Sequence, residues 1–293
     1  GAQQAASGLK YLFNMDGGLT TQISFIVIIA FVTVLSVVRG LDRGIRVLSN
    51  FTMALAVALL GYILFVGPTG DIITSYGAAL VQYGGAYLPL SNFVGREDTT
   101  YFHGWTIFYW AWWISWSPFV GLFLARISYG RSVREFIAIT LLAPLAIATI
   151  WFSSFGTAAI HQSKNGMGAL SDGIGDVSLV LFQLFDVLPI GAIASIFALV
   201  LLIVFFVTSS DSGALVIDSV AAGGKTDTPL IQRVFWACII SLLAVVLLVG
   251  GGAKALESLQ AWTLVVALPF TLVLYSTAYS LVSMMLREHR NNV

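Results

Sequence analysis

The sequence predicts an all-α integral membrane protein, with about seven transmembrane helices and one amphipathic helix lying in the interface. Three observations predict it. Of 293 residues, 58% are hydrophobic and only 10% are Asp, Glu, Lys or Arg, against roughly 25% charged residues in soluble domains. So few charges cannot cover the surface of a water-soluble fold of this size, and the mean hydropathy of +0.92 agrees. Second, seven long segments contain no Asp, Glu, Lys or Arg: 17–38, 47–70, 99–125, 136–163, 187–210, 234–253 and 258–286. Each can cross a hydrocarbon core, which takes about 20 residues of helix. Third, these runs are continuously apolar rather than alternating, which selects helices over barrel strands. Soluble enzymes are thereby excluded, and a net charge of +0 leaves no basic footprint for nucleic acid.

Residues 1–13 read as the tail of a helix already under way. With no Met at position 1 and no signal-peptide pattern, the sequence predicts the C-terminal portion of a larger protein. The runs 17–38 and 47–70 follow as spans. The uncharged stretch 72–95 differs: Gly77, Gly84, Gly85 and Pro89 interrupt it, and Tyr76, Tyr83 and Tyr87 are spaced along it. It reads as the interfacial helix. Charge placement supports that choice. Seven spans put Arg39, Arg43, Arg46, Arg126, Arg131, Arg134, Lys225, Arg233, Arg287 and Arg290 on one side, against Lys10, Arg96, Lys164 and Lys254 on the other. The basic side is then cytoplasmic, and so is the C-terminus. An eighth span would break this asymmetry. Between 161 and 186 the sequence predicts an outer surface helix over 177–185 that caps the bundle. Arg126, Arg131, Arg134 and Glu135 read as an inner loop meeting lipid headgroups.

The third of the seven runs carries the chemistry. Five of the eight Trp residues fall within 104–119: Trp105, Trp110, Trp112, Trp113 and Trp116. Helical spacing puts Trp105, Tyr109, Trp112, Trp116 and Phe119 on one stripe, with Trp110 and Trp113 beside it. An interfacial aromatic belt accounts for Trp105 but not for Trp112, Trp113 and Trp116 near mid-membrane. Converging aromatic faces form a cage for a cation that offers no hydrogen bonds, such as a quaternary ammonium. Ser115, Ser117 and Pro118 follow directly, and the proline predicts a broken span within the cluster; an ordinary proline kink is the alternative.

The run Gly104-Trp-Thr-Ile-Phe-Tyr-Trp-Ala-Trp-Trp113, continued by Ile-Ser-Trp-Ser-Pro-Phe119, Phe-Leu-Ala-Arg-Ile-Ser128 and Gly-Arg-Ser-Val-Arg-Glu135, resembles the signature of the betaine/choline/carnitine transporter family. It is most similar to the sodium-coupled glycine betaine symporters, because the carnitine antiporters differ just after the tryptophan pair. The resemblance covers the whole chain and implies a LeuT-like inverted-repeat fold. Residues 1–70 would be the end of the first repeat, 71–98 the amphipathic linker helix, 99–286 the second repeat, and 287–293 a short cytoplasmic tail. It also implies a homotrimer and an inner (plasma) membrane location. Trp112, Trp113, Trp116 and Phe119 match substrate-binding positions, with Trp116 stacking on the trimethylammonium group.

A second polar cluster, Phe-Phe-Val-Thr-Ser-Ser-Asp-Ser-Gly over 205–213, lies at the end of the fifth run. Its hydroxyls either satisfy themselves on the preceding turn or serve a hard cation, which favours oxygen ligands. By resemblance Thr208, Ser209 and the Phe205 carbonyl belong to a sodium site, with sodium as the coupling ion and no other cofactor. Asp211 reads as a helix-end or gate residue at the boundary. Cys238 stands alone, so no internal disulfide forms, and no P-loop, HExxH or nucleophile elbow is present. The sequence therefore predicts not an enzyme but a transporter importing glycine betaine or a related quaternary amine by sodium symport. Sodium-independent exchange, proton coupling, and an incomplete, transport-inactive scaffold stand as alternatives.

Overall fold

The computed structural model describes residues 1–39, 46–225 and 227–291. Arg43, counted above among the cytoplasmic charges, lies outside the described residues. The helices run in order α1 (Ala2–Phe13), α2 (Leu19–Arg39), α3 (Arg46–Val66), α4 (Thr69–Ser91), α5 (Thr99–Tyr101), a π-helical segment (Phe102–Ile107), α6 (Phe108–Ile127), α7 (Val133–Lys164), α8 (Val180–Asp186), α9 (Gly191–Ala221), α10 (Leu230–Gly251) and α11 (Ala255–Asn291). No strand occurs among the described residues. Seven stretches of helix are long and apolar enough to cross a membrane: α2, α3, the continuous Thr99–Ile127, α7, α9, α10 and most of α11. They coincide with the seven charge-free runs, and α4 stands outside the set. The chain is a multi-pass, all-α membrane protein.

The chain divides into two compact units, Gly1–Gly84 with Arg131–Val246, and Gly85–Gly130 with Leu247–Val293. In the first, α9 is the central element, touching α1, α2, α3 and α8. Its core joins Leu59 and Ile63 of α3, Ala158 of α7, Leu184 and Phe185 of α8, and Ala194 and Ala198 of α9. A second cluster gathers Ala5, Phe25, Phe182 and Leu199. Small residues on α9 let neighbouring backbones close in, the usual basis of helix packing in lipid. At Gly191 this is extreme: a Cβ would lie 1.9 Å from the Phe185 carbonyl oxygen. In the second unit, α6 packs along α11, and the Ser115 hydroxyl donates to the Thr263 carbonyl at 2.8 Å.

Four expectations need correction. The fifth run does not end at 210. Its helix continues to Ala221, because the acidic side chains that seemed to terminate it are buried and hydrogen-bonded within the protein. Residues 180–186 are not a surface cap either. Phe182, Leu184 and Phe185 are at most 2% exposed, and the Gln162 amide donates to the Leu184 carbonyl at 2.8 Å. Arg134 and Glu135 lie in the first turn of α7 rather than in a loop. Ser132 caps that helix by accepting from the Glu135 amide at 3.2 Å. Finally, α6 passes through Pro118 without a break, for a reason that belongs to the site itself.

Candidate aromatic site and polar cluster

Helical geometry brings the predicted stripe together as a ladder of rings along the continuous helix Thr99–Ile127. Trp105 stacks on Tyr109 with centroids 5.5 Å apart and planes 3° from parallel. Tyr109 meets Trp112 at 6.3 Å and 10°, and Trp112 meets Trp116 at 6.4 Å and 22°. The pattern then changes: Phe119 stands edge-on to Trp116, at 5.4 Å and 83°. Stacked rungs spend their faces on each other, whereas perpendicular rings leave a corner of two aromatic faces. A corner of this kind suits a methylated cation, which takes its attraction from ring quadrupoles rather than hydrogen bonds. Trp113 is 70% exposed, beside the ladder rather than within it.

Pro118 has no amide to donate to the carbonyl four residues back, that of Ile114. The Ser117 hydroxyl replaces it, donating to the Ile114 oxygen at 2.8 Å. The helix thus keeps its hydrogen-bond ladder, and no unwound backbone is available here for a ligand. Ser117→Ala should destabilise the protein by about 1 kcal/mol, while Ser117→Ala with Pro118→Ala, which restores the amide, should recover most of it. Thermal unfolding in detergent of both single variants and the double checks this.

In the other unit, Phe205, Thr208 and Ser209 fall within one turn of α9. The Thr208 hydroxyl donates to the Phe205 carbonyl at 2.9 Å, the ordinary back-bond of a helical threonine. That leaves the hydroxyl's lone pairs open to a cation, while the Phe205 carbonyl, which also accepts the helical amide, would have to release the hydroxyl to take one. Ser209 is exposed. Phe205 and Thr208 also line a cavity of about 490 Å³ with Gln4, Ser49, Thr52 and Trp151. These three polar residues come from α1 and α3, and nothing in their local sequence marks them out.

Two acidic clusters on α9 were also illegible. Asp211 is not at a helix end. It is 1% exposed, in mid-helix, and its carboxylate accepts from the Ser36 hydroxyl of α2. Asp218 is equally buried and accepts from Thr228, whose hydroxyl takes a 2.9 Å hydrogen bond from Arg233 Nε. Arg233 lies 3.8 Å from the same carboxylate. Charges inside a membrane protein are tolerated when so partnered. Among the described residues no three His, Cys, Asp or Glu side chains converge as a metal site.

Comparison with known proteins gives this geometry a setting. Residues 1–290 match the model of the betaine/carnitine/choline family transporters. The chain is 51% identical over 294 residues to glycine betaine transporter 1 of Vibrio parahaemolyticus, covering 99% of this chain and 55% of that protein. It is 51% identical over 287 residues to a glycine betaine/proline/choline/ectoine transporter of the same organism, covering 96% and 50%. A glycine betaine transporter of Acinetobacter baylyi is 38% identical over 285 residues, covering 96% and 43%. The chain spans about half the length of these relatives.

Proposed function

Because the chain belongs to the betaine/carnitine/choline family of transporters, we propose that it forms the cage-bearing part of a secondary transporter importing glycine betaine by sodium symport. The observation that carries this is the aromatic corner of Trp116 and Phe119, at 83° on a single helix. A trimethylammonium group presents only C–H to its surroundings, so aromatic faces hold it where carboxylates and hydroxyls gain little. Trp112 supports Trp116 from behind by stacking, and Trp113 approaches from the neighbouring face. Such a site binds and releases its cargo unchanged, and no covalent step is required.

Coupling to sodium falls to Thr208, Ser209 and the Phe205 carbonyl. Sodium is a hard cation that takes oxygen ligands, and both hydroxyls are free to turn their lone pairs towards it. The gradient does work because the loaded and empty forms favour different conformations. The resemblance further supports an inverted-repeat, LeuT-like arrangement, assembly as a homotrimer through α4, and residence in the plasma membrane with a cytoplasmic C-terminus.

The test is uptake of labelled glycine betaine into proteoliposomes by the chain joined to the first half of glycine betaine transporter 1 from Vibrio parahaemolyticus. Uptake should require an inward sodium gradient, and Thr208→Ala should raise the sodium concentration for half-maximal uptake by about tenfold. Uptake indifferent to sodium in both forms would keep the cage and move the protein to exchange. Sodium-independent uptake that follows a proton gradient would move it to proton coupling.

A further inference from the structure

Between α4 and α6 one arginine ties three pieces of backbone together. The loop after α4 doubles back: the Asn92 carboxamide accepts from the Val94 amide at 3.1 Å, and Gly95 adopts a left-handed φ of 70°. The next residue, Arg96, is thereby turned towards the end of α4. Its Nη1 donates to the carbonyls of Pro89 at 3.2 Å and Leu90 at 3.0 Å. These are carbonyls of the last helical turn, where partners run out; that of Pro89 also accepts from the Asn92 amide at 3.3 Å. Nε and Nη2 engage both oxygens of Asp98, the latter at 2.8 Å, in the two-pronged geometry that only a guanidinium provides. The central carbon of the same group lies 5.0 Å from the centre of the Phe102 ring and 6.0 Å from that of Tyr101. Although the loop is at the surface, the Arg96 side chain is only 14% exposed. The guanidinium holds the Asp98 carboxyl below its ordinary range through this hydrogen bond, so the pair stays ionised at neutral pH.

Phe102 opens the π-helical segment Phe102–Ile107, which leads without interruption into α6. A π turn holds an extra residue, so it sets the rotation of what precedes it relative to the α-helix that follows. Trp105, the outermost rung of the aromatic ladder, lies within this segment, stacked on Tyr109. The start of the segment is pinned by Arg96, and the Thr106 hydroxyl reaches the same Leu90 carbonyl at 3.5 Å.

We propose that Arg96 is a positioning residue for substrate binding: its clasp on Pro89, Leu90, Asp98 and Phe102 fixes the π-helical segment and with it the register of the aromatic ladder. The proposal rests on the ladder's being the substrate cage. Losing the clasp releases Trp105 first and loosens the stack behind Trp116, which weakens substrate binding more than turnover. A lysine keeps the charge but can neither fork to Asp98 nor reach two carbonyls at once, so it should not restore the function.

Two measurements test this on Arg96→Ala and Arg96→Lys. The first is the near-ultraviolet circular dichroism of the chain in detergent, where stacked indoles give a coupled signal. Both variants should lose a large part of it while keeping the far-ultraviolet helix signal. The second is glycine betaine uptake by the joined transporter, with Trp116→Leu alongside. Arg96→Ala should raise KM on the order of tenfold, the scale of a small misplacement in a site, with kcat within about twofold. A lower melting temperature with unchanged KM and unchanged spectrum would mean a purely structural arginine and would overturn the proposal. So would full function in Arg96→Lys. If Trp116→Leu alters KM and Arg96→Ala does not, the cage stands and the positioning role falls. If Trp116→Leu has no effect, it is the cage that falls. An unchanged spectrum in both arginine variants sinks the proposal whatever the transport result; should Arg96→Ala fail to fold, Arg96→Lys alone decides.

Discussion

Trp116→Leu is expected to weaken glycine betaine binding by about 1–2 kcal/mol, the contribution of a desolvated cation–π contact, or roughly tenfold in affinity. The argument is geometric. Trp116 belongs to both parts of the site, stacking on Trp112 and standing perpendicular to Phe119. Leucine fills part of the volume and keeps the helix, yet offers no quadrupole, so the loss is one of recognition rather than of fold. Trp116→Phe retains a smaller ring and should lie between the two. Competition by choline and by a neutral isostere lacking the positive charge separates cation recognition from simple packing. The charged ligands should lose affinity in Trp116→Leu while the neutral one, already weak, does not change. Equal loss for both would mean that the indole acts by bulk alone.

Gly191→Val is expected to prevent the first unit from assembling, at a cost of about 3 kcal/mol or more. The new Cβ would fall 1.9 Å from the Phe185 carbonyl oxygen and 2.7 Å from its carbon, and backbone cannot swing aside as a side chain can. Relief requires moving α8 away from α9, which pulls Phe182, Leu184 and Phe185 out of the core they fill. The Tyr62 hydroxyl, which donates to the Pro189 carbonyl at 2.6 Å, would lose its partner as well. Gly156→Ala in α7 serves as the control, since its Cβ meets nothing within 4 Å, and it should change stability by no more than about 1 kcal/mol. Size-exclusion profiles in mild detergent, with thermal aggregation of the monodisperse fraction, distinguish the two.

The spans were legible because lipid imposes one strong rule: a crossing segment cannot afford unpaired charge, so charge-free runs mark helices. The same rule misplaced the C-terminal end of α9. Asp211 and Asp218 break the run in sequence but not in space, because Ser36 lies 175 positions away from Asp211 and Arg233 belongs to the following helix. Partnership over such distances leaves no local signal. The burial of α8 was hidden for a similar reason. Seven residues can be read as a surface cap or a core plug, and only the arrival of α3, α7 and α9 decides. At Pro118 the local rule was sound, and the neighbouring serine annulled its consequence. The aromatic stripe was fully legible, since the step of three and four residues dictates which rings meet. Its clasp was not, because Arg96 binds main-chain carbonyls, which any sequence supplies.

The serine beside Pro118 has a further consequence. Trp116 and Phe119 lie on opposite sides of that proline, so the corner they form is not a rigid wall. Its angle depends on the backbone at the proline as well as on the two side chains. The hydrogen-bond ladder at this point is completed by one hydroxyl bond worth about 1 kcal/mol, within about two units of thermal energy. Removing that bond, as in Ser117→Ala, should therefore change the angle between the rings as well as the stability of the helix. Under the proposed function, a cargo that fits the corner only at one angle would favour the backbone that sets that angle, and recognition would be coupled to the bend of the span.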